Sequence, residues 1–184
     1  MKKVYYTDEM VKGQVHDIIR AMQKDNWQPD YVVGLTRGGL VPANMISQYL
    51  DVRMETLKVS LRDSNECESN CWMAEDAFGY VNTDVVPRPA DSVTTDPSTR
   101  KNILIVDDIN DTGATLNWIR QDWPSGCLPD DPAWKEIWNN NVRFAVLVDN
   151  QASGFHDIDY SGVEINKAEE DCWIVFPWEE WWRS

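Results

Sequence analysis

The sequence predicts an α/β fold, a mostly parallel sheet flanked by helices in a single domain over 1–184. Two segments carry that prediction. Lys101-Asn-Ile-Leu-Ile-Val-Asp-Asp-Ile-Asn-Asp-Thr-Gly-Ala-Thr-Leu116 runs from an apolar stretch through two carboxylates and a polar turn into a helix start. Tyr31-Val-Val-Gly-Leu-Thr-Arg-Gly-Gly-Leu-Val-Pro42 repeats the order of apolar run, glycine-rich turn and helix. Apolar runs bounded by turn residues fit strands buried on both faces, as in parallel sheets. The remaining chain continues the alternation of strands and helices.

In chain order, Thr7 is a candidate N-cap, with Asp8 and Glu9 in the first turn where the helix dipole favours anions. Val11, Val15, Ile18, Ile19 and Met22 then recur at helical spacing, which predicts an amphipathic helix ending near Asn26. A strand over Tyr31–Leu35 follows, then a helix over about Leu40–Leu50 and a strand over Met54–Ser60. Ile103–Val106 reads as a strand that feeds a helix over about Gly113–Asp122. Arg143–Val148 reads as a further short strand. Ser125–Asn141 carries Trp134 and Trp138 four apart, which predicts a short helix whose tryptophans pack on the body.

Ser64–Arg100 breaks the rhythm. It is polar, contains Pro87, Pro89 and Pro97, and is longer than an ordinary connection. Loops of that length are commonly functional lids; a surface insertion with a hairpin around Ala77–Val86 is the alternative.

Composition narrows the function classes. The chain has 184 residues, 42% hydrophobic and 26% charged, as expected of a globular domain with room for a core. No run is apolar and long enough to span a membrane, and the first residues lack a signal-peptide core, so no membrane partner and a cytoplasmic location are expected. Lys and Arg number 17 against 31 Asp and Glu, a net charge of −14, which disfavours nucleic acid as a partner. Cys67, Cys71, Cys127 and Cys172 lack the paired spacing of a zinc site and read as reduced thiols.

The two strand–turn–helix segments also carry chemistry. At the carboxyl end of a parallel strand, Asp107 and Asp108 could accept hydrogen bonds from a vicinal diol. Backbone N–H groups of Asp111, Thr112, Gly113, Ala114 and Thr115, at a helix start, could cradle a phosphate. A diol beside a phosphate describes a ribose 5-phosphate.

The segment Lys101–Leu116 closely resembles the 5-phosphoribosyl-1-pyrophosphate (PRPP) motif of type I phosphoribosyltransferases, over about a dozen contiguous positions. The Tyr31–Pro42 segment resembles the pyrophosphate-binding loop of that family, with Thr36, Arg37, Gly38 and Gly39 as the loop and, by resemblance, a non-proline cis peptide at Thr36–Arg37. Asp171-Cys-Trp-Ile-Val-Phe-Pro-Trp-Glu179 resembles the hood segment of xanthine-guanine and related 6-oxopurine phosphoribosyltransferases, within a hood over 149–184. The resemblance implies the type I fold, with transfer of the phosphoribosyl group of PRPP to a purine base and release of pyrophosphate, as in purine salvage. It implies Mg²⁺ as cofactor, with Asp107 and Asp108 at the metal directly or indirectly, and a homo-oligomer, dimer or tetramer.

By the same resemblance Trp173 stacks on the base, the Ile174 backbone meets its edge, and Asp111 handles the proton at purine N7 as a general acid/base. Trp178, Trp181 and Trp182 read as packing or oligomer-interface residues. The chain departs from the family pattern at one point. A Lys that holds the purine O6 is expected after the Phe144–Val148 strand, and Asn150, or Asp149 in a slipped register, stands there. Two alternatives stay open at this level: a non-catalytic PRPP- or nucleotide-sensing regulator on the same fold, and a transferase for another nitrogen base.

Overall fold

The computed structural model describes residues 1–59, 71–81 and 94–183. Five strands form one parallel sheet in the order β3-β2-β4-β5-β6: β2 (Tyr31–Thr36), β3 (Arg53–Lys58), β4 (Ile103–Asn110), β5 (Val142–Asn150) and β6 (Tyr160–Ile165). A separate parallel pair joins β1 (Lys2–Tyr5) to β7 (Cys172–Val175). Helices cover both faces of the large sheet, as a parallel sheet requires.

Alternation along each strand sorts its side chains between the two faces. Val32 of β2 and Leu104 and Val106 of β4 meet α1 (Asp8–Lys24) and α2 (Leu40–Leu50) through Val15, Ile18, Met22, Ala43 and Ile46. Tyr31, Val33 and Leu35 of β2, with Ile103 and Ile105 of β4, face α3 (Cys71–Phe78), α4 (Ala114–Ser125) and α5 (Trp134–Ile137) through Met73, Phe78, Leu116, Ile119, Trp123 and Trp134. Continuous apolar runs therefore serve two cores at once.

The elements read from periodicity are present, with shifted ends. Thr7 caps α1, its Oγ1 accepting from the Met10 N–H at 3.2 Å, and the helix ends at Lys24. β4 and β5 run several residues past the apolar stretches that predict them. Asp107, Asp108 and Asn150 therefore lie within strands rather than after them. Trp134 and Trp138 are buried and stacked at 5.5 Å, although α5 is a single turn and Trp138 already lies in extended backbone beyond it.

Around Ala77 the structure corrects the sequence reading. Ala77 and Phe78 end α3 instead of opening a hairpin, and Met73, Ala74, Ala77 and Phe78 are buried in the core. The apolar spacing of these residues is helical but too brief to stand out in a polar stretch. Tyr80 forms an antiparallel bridge with Thr95, so the chain on either side of 82–93 is drawn together. The expectations for 60–70 and 82–93, including most of the candidate lid and Cys67, lie outside the described residues. Cys71, Cys127 and Cys172 are free thiols. No helix among the described residues is long and apolar enough to cross a membrane.

One contact fixes how closely α2 approaches the sheet. A Cβ at Gly34 would lie 2.9 Å from the Ala43 Cβ and 3.3 Å from the Gly39 carbonyl oxygen. Gly34→Ala is expected to cost about 1–3 kcal/mol in urea unfolding, the usual cost of overpacking. Adding Ala43→Gly should return part of that loss; strictly additive effects would show that the two positions do not share this contact.

Candidate active site

The loops after β2 and β4 open at the carboxyl edge of the sheet, where open α/β folds bind ligands. There they meet the β6–β7 turn and the residues that follow β7. Together these elements enclose a cavity of about 1010 Å³, lined by Thr36–Gly38, Lys58, Asp107–Leu116, Lys167, Trp173, Ile174 and part of 176–183. The volume suits a ligand of nucleotide size.

The loop after β2 lies across the end of β4. Its Thr36–Arg37 peptide is cis. Gly38 and Gly39 let the loop sit close to β4. A Cβ on Gly38 would fall 2.0 Å from an Asp108 carboxylate oxygen, and one on Gly39 would fall 2.3 Å from the Val106 carbonyl. Any side chain at 38 would displace Asp108. Gly39 is buried beneath the loop as the N-cap of α2, while Thr36, Arg37 and Gly38 reach the cavity.

Asp107 and Asp108 are adjacent in β4 and keep part of their surface toward the cavity although protein surrounds them densely. Asp108 N–H donates to Asp107 Oδ1 at 2.9 Å, and Ile109 N–H donates to Asp108 Oδ1 at 2.8 Å. Burial, then the neighbouring Asp108 charge, raises the Asp107 pKa well above the ordinary carboxylate range. Burial is also the main cause for Asp108, with Glu179 adding repulsion, and its pKa is pushed up to about 6. Two crowded carboxylates of this kind suit a hard cation or a donor-rich ligand. Among the described residues no group of three or more His, Cys, Asp or Glu could hold a metal, so a cation here would need oxygens from a ligand to complete its shell.

The turn Asp111–Gly113 leads into α4. Gly113 has φ +82°, and a Cβ there would lie 2.5 Å from the Phe155 N. Only glycine meets both demands without strain. Thr112, Ala114 and Thr115 line the cavity beside it. A second loop, 151–155, buttresses this turn. Gly154 N–H donates to the Thr112 carbonyl at 3.0 Å. Asn110, 1% exposed, donates to Asp149 Oδ1 and the Phe155 carbonyl and accepts from Ser153 Oγ. The sequence reading assigned no role to Asn110; its only signal is a polar residue in a strand otherwise built for burial.

Trp173 is 37% exposed and faces the cavity from β7, with Ile174 buried next to it. β1 pairs with β7 in the register Lys3↔Trp173, so the N-terminal strand supports the aromatic platform. Trp178 stacks on Phe176 at 4.9 Å, while Trp181 and Trp182 are 68% and 65% exposed.

Asn150 departs from the sequence expectation that it meets the base. It is 5% exposed and its amide is engaged at both ends: Nδ2 donates to the Asp111 carbonyl at 2.8 Å, and Oδ1 accepts from Lys167 N–H at 3.0 Å and Ala152 N–H at 3.2 Å. A buried amide satisfied in this way is structural. A residue the sequence reading passed over, Lys167, stands in the cavity instead. Its ammonium is 2.8 Å from Asp111 Oδ1 and 6.0 Å from the Trp173 ring centre.

Comparison with known proteins agrees with this geometry. Residues 6–183 match the family model described as the phosphoribosyl transferase domain. A xanthine-guanine phosphoribosyltransferase from Cereibacter sphaeroides is 31% identical over 174 residues, covering 90% of this chain and 83% of that protein. Solved structures with the same fold include a purine phosphoribosyltransferase from Pyrococcus horikoshii (TM-score 0.59, 24% identity, 98% of this chain and 96% of that one). Another is a Helicobacter pylori xanthine-guanine-hypoxanthine phosphoribosyltransferase (TM-score 0.60, 18% identity, 97% and 95%).

The carboxylate pair generates a pH prediction. A carboxyl group with a raised pKa binds more protons folded than unfolded between its unfolded value, about 4, and its folded value, here about 6 for Asp108. The pair's contribution to stability therefore falls as pH rises through that window. Asp108→Asn should relieve the cost above pH 6; each kcal/mol gained would raise Tm by about 2–4 °C. A Tm for Asp108→Asn at or below wild type at pH 7.5, with the two proteins' stabilities running parallel from pH 4.5 to 7.5, would refute it.

Proposed function

The chain belongs to the phosphoribosyltransferase family, and from that premise we propose that it transfers the 5-phosphoribosyl group of PRPP to a 6-oxopurine base, releasing pyrophosphate. The observation that carries this reading is a single cavity that gathers the β2 loop, the carboxylate pair with its phosphate turn, and the Trp173 platform. The cited xanthine-guanine and purine relatives support the choice of a purine.

In this reading the N–H groups of Asp111–Thr115 hold the 5′-phosphate at the start of α4, where the helix dipole favours an anion. Asp107 and Asp108 accept from the ribose hydroxyls. The Thr36–Gly39 loop, with Arg37, receives the pyrophosphate. A Mg²⁺ ion carried with the substrate would be held by Asp107 and Asp108, directly or through water, and would neutralise pyrophosphate charge as it leaves. Trp173 stacks on the base, a contact worth ~1–3 kcal/mol in comparable sites. Asp111 takes the proton that the base must lose. Departure of pyrophosphate leaves positive charge on the sugar ring, so the fixed carboxylates and the alignment of base with sugar carry the rate enhancement. A homo-oligomer and a cytoplasmic location remain part of the proposal, in keeping with soluble salvage enzymes.

The direct experiment is pyrophosphate release with PRPP, Mg²⁺ and a panel of bases. Guanine, hypoxanthine or xanthine should support turnover; silence with every base would refute the reading.

Two further outcomes follow from the site. PRPP–Mg²⁺ at ~100 times its dissociation constant should stabilise the fold by about 2.7 kcal/mol, measured as a thermal shift that disappears in an Asp107→Ala, Asp108→Ala protein. Asp111→Asn should lower kcat by a factor of ~10²–10⁴ with little change in PRPP affinity, because the backbone N–H remains. Near wild-type turnover would restrict Asp111 to its structural contacts.

A further inference from the structure

Lys167 lies in the turn between β6 and β7, just before the Asp171–Glu179 segment and outside the motifs that carry the family resemblance. Its side chain is 17% exposed, and its ammonium faces the cavity between the Asp111 carboxylate and the Trp173 ring. Its backbone N–H is tied to Asn150 Oδ1, and the Asn150 Nδ2 holds the Asp111 carbonyl. One buried amide thus clasps the phosphate turn to the turn that delivers the lysine. The arrangement puts an anionic acceptor and a cationic donor 2.8 Å apart at the edge of a stacking surface.

Resting on the purine-transfer reading, we infer that Lys167 is the specificity-determining residue for the base and that Asn150 is the residue that positions it. The Asp111–Lys167 pair matches one edge of a 6-oxopurine, in which a ring N7–H donor stands next to an exocyclic oxygen acceptor. Asp111 accepts from N7–H while Lys167 donates to the oxygen. A 6-aminopurine would set its amino donor against an ammonium that can only donate. Rejection then comes from an unmatched buried donor as well as from a lost contact, which is how a site discriminates strongly between bases of the same shape. The ammonium rests on Asp111, so neither charge is buried and unpaired.

The measurement is kcat/KM for hypoxanthine and for adenine at saturating PRPP–Mg²⁺, in wild type, Lys167→Met and Asn150→Ala, with PRPP affinity followed separately by titration. Lys167→Met should lower hypoxanthine kcat/KM by about 10- to 100-fold, the value of a charged donor, and leave adenine within a few-fold, so the ratio collapses. Asn150→Ala should move the ratio in the same direction by a smaller factor, since the lysine remains but loses its anchor. PRPP affinity within about twofold of wild type for Lys167→Met would show the fold and the phosphate half intact. An unchanged base ratio in Lys167→Met, with wild type active, would overturn the assignment. A wild type inactive with every base would overturn the transfer reading and this assignment with it.

Discussion

Two adjacent carboxylates held inside the fold are the constraint that the rest of the site answers. Asp107 and Asp108 occupy consecutive positions of a strand, so their side chains leave on opposite sides of the sheet edge. Burial raises both pKa values, with the Asp108 charge adding to it at Asp107 and the Glu179 charge adding to it at Asp108, so the pair carries an electrostatic cost. Polar and apolar neighbours are shaped around that cost. Backbone N–H groups at 108 and 109 solvate the pair from within. Gly38 is bare so that the β2 loop can close over Asp108 without pushing it aside. A group kept at such expense is expected where ligand binding returns the energy.

Parallel topology turns that strand into a site. β4 pairs with β2 on one side and β5 on the other, so the segments that follow all three strands arrive at one edge. They are then joined crosswise. Asn110 links the end of β4 to the 151–155 loop, Asn150 links the end of β5 back to Asp111, and Gly113 lets α4 start against Phe155. Each link is a buried, satisfied hydrogen bond or a contact that tolerates no side chain. Loops fixed in this way hold donors in place before a ligand arrives, which is what positioning catalysis requires.

The parts of the molecule legible in the sequence are those whose signal is local. Val11 to Met22 announce α1 by periodicity, and the Lys101–Leu116 segment carries strand, carboxylates and phosphate turn in one stretch. The ends of β4 and β5 were hidden because their last residues are polar: the strands continue for the sake of the site, after the hydrophobic reason for them has stopped. β1, β6, β7 and α3 escaped for other reasons. β1 is mostly exposed and exists through its pairing with β7. α3 is eight residues long inside a polar stretch. Asn150 shows what position along the chain leaves out: its place after the Phe144–Val148 run suggests a contact with the base, and only three-dimensional packing reveals both ends of its amide spent on backbone. Lys167 is the converse, a residue in a polar turn with no periodicity or spacing to mark it.

The charge distribution explains how so acidic a chain can receive a polyanion. The net charge of −14 describes the whole surface, and screening at physiological salt limits each exposed charge to a reach of about 8 Å. Inside the cavity the balance differs: Arg37, Lys58, Lys167 and Arg183 line it opposite the carboxylates. Lys167 is matched to Asp111 and Arg183 to Glu180, so these two cations line the cavity as halves of ion pairs rather than as bare charge. A ligand that engages Lys167 competes with Asp111, and one that engages Arg183 competes with Glu180, which keeps Lys3 as a second donor. Such an exchange gives little attraction at long range. It favours ligands that present acceptors and donors in the right alternation, and it penalises a bare anion that can satisfy the cations but not the carboxylates. Selectivity in this site is therefore a property of paired charges at short range, and the acidity of the outer surface does not oppose it.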